Sequence, residues 1–139
     1  TRAKQLGLYL ALYSPIQMAA DFIEELEKYP RELDFISKVP ADWEFSTLIA
    51  GEVGDFAIFA RKDRNSADWY VGGVNDATAR TIDAKLDFLD AGKTYTATIY
   101  RDGPGATYET EARKVKKSDA LSLWLAPGGG AAVRIAAGK

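Results

Sequence analysis

The carboxylates best spaced for acid–base work lie near the start of the chain, at Asp21, Glu24 and Glu25. Two carboxyl groups held close together can divide the labour of proton transfer, one donating while the other stays ionised. Residues three apart share a helix face, which brings Asp21 to Glu24. For Glu24 and Glu25 the plainer explanation is the charged, solvated side of a helix. Asp21 carries a second reading, because it closes the short apolar run Ile16–Ala20. A polar residue at the C-terminal end of a barrel strand faces the active site. Histidine and cysteine are both absent, which removes Ser-His-Asp and Cys-His catalysis, the commonest zinc ligand, thiolate metal sites and any disulfide framework. Chemistry in this chain would rest on carboxylates, Lys, Tyr or Arg.

Other constellations read less chemically. Asp63, Asn65 and Asp68 alternate like calcium-loop ligands, but that loop needs Gly at its sixth position and Glu at its twelfth. Asp68 and Val74 stand there instead, so the segment reads as a solvated loop. Pro127-Gly128-Gly129-Gly130 invites comparison with a phosphate cradle, which sits between a strand and a helix N-terminus. Strand-like sequence flanks it on both sides, so a tight hairpin is the expectation. Trp43, Trp69 and Trp124, with Tyr70 and Tyr100, offer broad apolar faces of the kind that stack on sugars. Trp124 alternates with Leu121, Leu123 and Leu125, so if the leucines point inward it points outward. Trp124, Trp69 and Tyr70 are therefore the candidate contact surface. The basic cluster Arg113, Lys114, Lys116 and Lys117 follows Glu109 and Glu111 and reads as a solvated strand end.

These residues are embedded in 139, enough for one domain, or for one domain and a piece of another. Apolar residues make up 47% and charged ones 27%, an ordinary globular balance. The net charge of −2 argues against nucleic acid as a partner. The apolar stretch Leu6–Ile23 is broken by Gly7, Ser14, Pro15, Gln17 and Asp21, so no membrane span is expected.

Residues 1–13 read as a helix with apolar side chains all round, which is the mark of a buried helix. Pro15 ends it, and 15–20 reads as a short buried strand. A buried helix, a break and a strand closing on an acid look like one repeat of a barrel seen from within. The chain is accordingly expected to be cut from a longer protein, with residues 1–20 poorly covered once separated from it. Pro30 opens a further helix, with Leu33, Phe35, Ile36 and Val39 as its apolar stripe. Beyond Trp43 the apolar period changes from helical to two. Strands are expected over 45–50, 55–61, 69–75, 81–88, 94–99, 108–116, 121–126 and 131–136. Such short strands, about 8–12 residues apart, predict a mainly β fold: an antiparallel, Greek-key-like sandwich of about seven or eight strands.

Taken in order, these segments resemble the C-terminal region of glycoside hydrolase family 97, which contains bacterial α-glucosidases and α-galactosidases. The resemblance is carried by Gln5–Asp21, by Phe35-Ile36-Ser37-Lys38-Val39-Pro40 and Trp43, and by Ala60-Arg61-Lys62. It continues through Asp68-Trp69-Tyr70-Val71-Gly72-Gly73, Gly92-Lys93-Thr94-Tyr95-Thr96-Ala97, Tyr100-Arg101-Asp102-Gly103-Pro104 and Leu125–Gly130. It implies that residues 1–40 come from the end of a catalytic (β/α)8 barrel and that 41–139 form a C-terminal β-sandwich domain linked to oligomerisation.

By the same resemblance the catalytic glutamates and calcium ligands lie upstream. No catalytic residue, cofactor or metal is expected within this chain, while calcium is expected in the full-length parent. The implied partners are the upstream barrel, further copies of the enzyme and its carbohydrate substrate, and the implied location is the bacterial periplasm. Two functions follow from these readings. The first is a non-catalytic domain that braces the barrel and supports subunit contacts, with Asp21 at the edge of the parent's active site. The alternative is a carbohydrate-binding module built on exposed Trp and Tyr.

Overall fold

The computed structural model describes residues 1–138, so Lys139, the end of the expected sandwich, lies outside the described residues. Three helices come first: α1 (Arg2–Ala11), the single turn α2 (Ile23–Leu26) and α3 (Pro30–Lys38). Eight strands follow: β1 (Trp43–Glu52), β2 (Phe56–Asp63), β3 (Trp69–Asn75), β4 (Arg80–Lys85), β5 (Tyr95–Gly103), β6 (Thr107–Val115), β7 (Ala120–Leu125) and β8 (Gly130–Ala137). Six of them form one antiparallel sheet in the order β1-β2-β3-β8-β5-β6, and β4 pairs with β7 in a second. The chain visits the small sheet twice, and on its second return it inserts β8 between β3 and β5.

The large sheet is covered on both faces, and strand periodicity decides which residue goes where. On one face the β4–β7 pair closes a core containing Ile58, Trp69, Val71, Ile99, Val133 and Ile135. Leu121, Leu123 and Leu125 are fully buried in it, as their spacing predicts. On the other face α1 and α3 bury Leu6, Leu10 and Phe35 against Trp43, Tyr70, Tyr100 and Ala132. Phe35 meets the rings of Tyr70 and Tyr100 edge-on, at centroid distances of 6.2 and 5.3 Å.

Three expectations are corrected. The start of the chain is not left uncovered as a whole, because Ala3, Leu6, Gly7 and Leu10 recur at helical spacing and are buried. α1 finds its partner inside this chain, on β3 and β8, where glycine and alanine let the helix backbone approach closely. A Cβ on Gly7 would meet the Ala131 carbonyl at 2.8 Å, and one on Gly72 would meet the same oxygen at 2.7 Å. The expected strand over 15–20 does not form. The segment has no strand neighbour, and its Ile16 and Met18 are exposed.

Pro127–Gly130, finally, is not a hairpin, because β7 and β8 belong to different sheets. It is the corner between them, and each glycine has its own reason for being there. Gly128 takes φ 64°, in the left-handed region that glycine tolerates. A Cβ on Gly129 would overlap Asp102, and one on Gly130 would lie 2.8 Å from the Lys4 Cα.

Candidate functional site and interaction surfaces

The candidate contact residues separate in the structure. Trp69 and Tyr70 are neighbours on β3, so their side chains leave opposite faces of the sheet, and both are buried. Trp69 lies 4.7 Å from Phe88, between ring centroids, beneath the small sheet. Tyr70 donates its hydroxyl to the Lys38 carbonyl at 3.0 Å, at the end of α3. Burial pushes its phenol pKa up to about 12. Their place on an exposed contact surface is therefore corrected: each anchors one covering layer. Trp124 is half-buried, opposite Thr81 on the face of the small sheet away from the leucines. With Trp69 and Tyr70 withdrawn, the three aromatics do not form a common platform on which a sugar could stack.

Asp21 is exposed, and its carboxylate accepts from the backbone N–H of Phe22 at 2.8 Å. It lines a groove of 470 Å³ between α1 and the segment that follows, together with Leu8, Tyr9, Met18 and Ile36. The Tyr9 hydroxyl donates to the Met18 carbonyl at 3.2 Å, and Gln17 donates to the Leu12 carbonyl at 3.2 Å, folding this segment back on the helix. The Glu24–Glu25 pair stays in solvent, and Glu25 binds Lys28 at 2.5 Å. Among the described residues no group of three or more His, Cys, Asp or Glu could hold a metal ion. Asp63 accepts from the Asn65 N–H and the Ser66 hydroxyl in a local turn, while Asp68 binds Arg134 at 2.8 Å. Among the described residues no helix is long and apolar enough to cross a membrane.

Two buried polar residues, to which no role follows from their sequence motifs, organise these surfaces. Asp102, 1% exposed, accepts from the backbone N–H groups of Ala126 and Gly130 at 3.1 and 2.9 Å, pinning both ends of the glycine corner. In sequence, Asp102-Gly103-Pro104-Gly105 has the composition of an ordinary turn. Arg61 donates from Nε to the Leu10 carbonyl at 2.6 Å and from Nη1 to Ser46 at 2.8 Å. It thus satisfies a carbonyl in the last turn of α1, where a positive charge also opposes the helix dipole. Phe59 and Tyr13 flank its guanidinium at 5.2 and 5.8 Å.

Part of the surface open to solvent is apolar. Among the described residues, the large hydrophobic side chains left exposed before β1 are Leu12, Tyr13, Ile16, Met18, Phe22, Ile23 and Tyr29, all in the connection from α1 to α3. Within the β domain they are Phe45, Leu48 and Val53. Contiguous exposed apolar surface marks an interface. A two-sheet β domain with a helical cover, open along such surfaces, has the character of an assembly module.

The comparisons with known proteins agree. Residues 42–136 match the family described as Glycosyl-hydrolase 97 C-terminal, oligomerisation, and the chain belongs to that family as a C-terminal domain of the glycoside hydrolase family 97 type. It is 37% identical over 140 residues to a retaining alpha-galactosidase of Bacteroides thetaiotaomicron, an alignment covering 97% of this chain and 21% of that protein. A family 97 enzyme of Pseudoalteromonas sp. strain K8, solved in complex with panose, superposes with a TM-score of 0.93 at 48% identity, over 99% of this chain and 22% of that one. A beta-arabinopyranosidase structure superposes with a TM-score of 0.77 at 27% identity, over 95% of this chain and 20% of that one. The chain thus spans about a fifth of the length of these relatives.

Proposed function

We propose that this chain is the non-catalytic C-terminal part of a family 97 enzyme that hydrolyses α-glucosides or α-galactosides in the bacterial periplasm. Residues 1–40 belong to the end of its catalytic barrel, and the catalytic carboxylates and calcium ligands lie upstream. The chain's work is mechanical: it braces the barrel and supports contacts between copies of the enzyme. The observation that carries this reading is the exposed apolar connection between α1 and α3. It is tied back by Tyr9 and Gln17, yet its hydrophobic side chains turn toward solvent.

An upstream catalytic part docked there would bury them, each contributing about 1.5–3 kcal/mol when fully covered. In the full-length enzyme, the combined substitutions Ile16→Ser, Met18→Ser and Phe22→Ser should lower the thermal transition and the activity. The same substitutions should hardly change the unfolding of the 139-residue chain. The isolated chain should not turn over nitrophenyl α-glucoside or α-galactoside. Equal stability of the substituted and parent full-length enzymes would overturn the bracing role.

A further inference from the structure

The two edges of the six-stranded sheet are built differently. β6 forms one edge and carries Glu109, Glu111, Arg113 and Lys114, with Arg101 of β5 bound to Glu109 at 3.1 Å. Charged side chains protect an edge strand from pairing with another chain. β1 forms the other edge, and from Phe45 to Gly51 it has neither charge nor proline. That composition in an exposed edge strand invites pairing.

Exposure points to the same strand. Among the described residues of 42–136, the large apolar side chains left exposed are Phe45, Leu48 and Val53, all on β1 or the turn after it. Phe45 stands opposite Lys62 and rests edge-on against Trp69, at 6.2 Å, on the side of the small sheet. Leu48 stands opposite Phe59, on the side of the helices. An unpaired backbone edge is thus flanked by an apolar side chain on each face. Register shifts between Trp43 and Phe45 and between Leu48 and Ala50 bracket a regular stretch, Phe45–Leu48.

We propose that β1 is the self-association surface of the domain. Its Phe45–Leu48 stretch pairs with the same stretch of a second copy, antiparallel across a two-fold axis. This deepens the oligomerisation reading that the family match supports, and it rests on that reading. Two-fold symmetry presents the same patch from both copies, which is what an antiparallel pairing of identical strands requires. The new ladder satisfies the outer backbone groups of β1, while the apolar side chains approach their own counterparts across the axis, Phe45 on the face of the small sheet and Leu48 on the face of the helices. The charged β6 edge stops the sheet from extending further, so the assembly closes at two.

The test is sedimentation equilibrium of the 139-residue chain, with amide exchange recorded at high and low concentration. Leu48→Lys should raise the dimer dissociation constant about tenfold or more, whereas Phe22→Ser in the α1–α3 connection should leave it unchanged. Exchange over residues 43–52 of the unsubstituted chain should slow as concentration rises, a readout that does not depend on any variant folding. Self-association that survives Leu48→Lys unchanged, or concentration-dependent protection confined to residues 12–29, would overturn the β1 interface while leaving oligomerisation standing. An unsubstituted chain that remains monomeric throughout would overturn the oligomerisation reading for this chain and the proposal with it.

Discussion

Asp102 is the residue whose removal should most clearly expose how the two sheets are joined. Its Oδ2 takes two backbone N–H groups, from Ala126 and Gly130, in a site with almost no solvent. Asp102→Ala leaves both donors without an acceptor. A buried unsatisfied donor costs about 1–3 kcal/mol, so the pair sets a loss of about 2–6 kcal/mol. Water entering the vacated space moderates this, placing the expected loss at about 2–4 kcal/mol.

Asp102→Asn has the same shape, and its amide oxygen can occupy the Oδ2 position and accept both bonds. It gives up the charge-assisted part of the interaction, for a loss of about 1 kcal/mol. The assay is denaturant unfolding of the chain followed by tryptophan fluorescence, at a dilution where it is monomeric, with amide exchange read at Ala126 and Gly130. In Asp102→Ala those two amides should lose protection before the centre of β8. The reasoning is refuted if Asp102→Ala falls within about 0.5 kcal/mol of the parent chain, the range of an ordinary surface change. It is refuted equally if Asp102→Asn costs as much as Asp102→Ala, since the effect would then come from the charge and not from the acceptor.

Leu123 is fully buried, so Leu123→Ala should cost about 2–5 kcal/mol. Trp124→Ala, on the opposite face, should cost less; the reverse order in chemical denaturation would invert the assignment of faces on β7. Tyr70 gives a pH signature. Its folded pKa, raised by burial to about 12, lies above the ordinary value of 10.0, so its protonated form is favoured by folding. That stability is complete below pH 10 and is lost as pH rises toward 12. Tyr70→Phe should flatten the dependence of unfolding free energy on pH across that window, and an unchanged alkaline limb would show that another group governs it.

Much of this protein is written locally. The switch from helical to two-residue periodicity near Trp43, the helix opened by Pro30 and eight strands with turns between them all follow from side-chain spacing and turn chemistry, which act over a few residues. The burial of Leu121, Leu123 and Leu125 follows as well, because a one-residue slip would place Ser122 and Trp124 in the core instead.

What only the tertiary structure decided is which neighbour covers each face. Trp69 and Tyr70 look like one surface in sequence, but consecutive strand residues point to opposite sides, and here both sides are covered. The apolar α1 calls for a buried seat, yet nothing within its own residues says that the seat is Gly72 of β3 and Ala131 and Ala132 of β8. Pro127–Gly130 reads as a turn from any local window. It becomes a corner between sheets because β8 pairs with β3 and β5 rather than with β7. Asp102 acquires its role only when that corner folds over it, since its partners lie 24 and 28 residues away. Periodicity fixes which side of an element is apolar. Long-range pairing, whose partners are set by the packing of the whole chain, determines what that side meets.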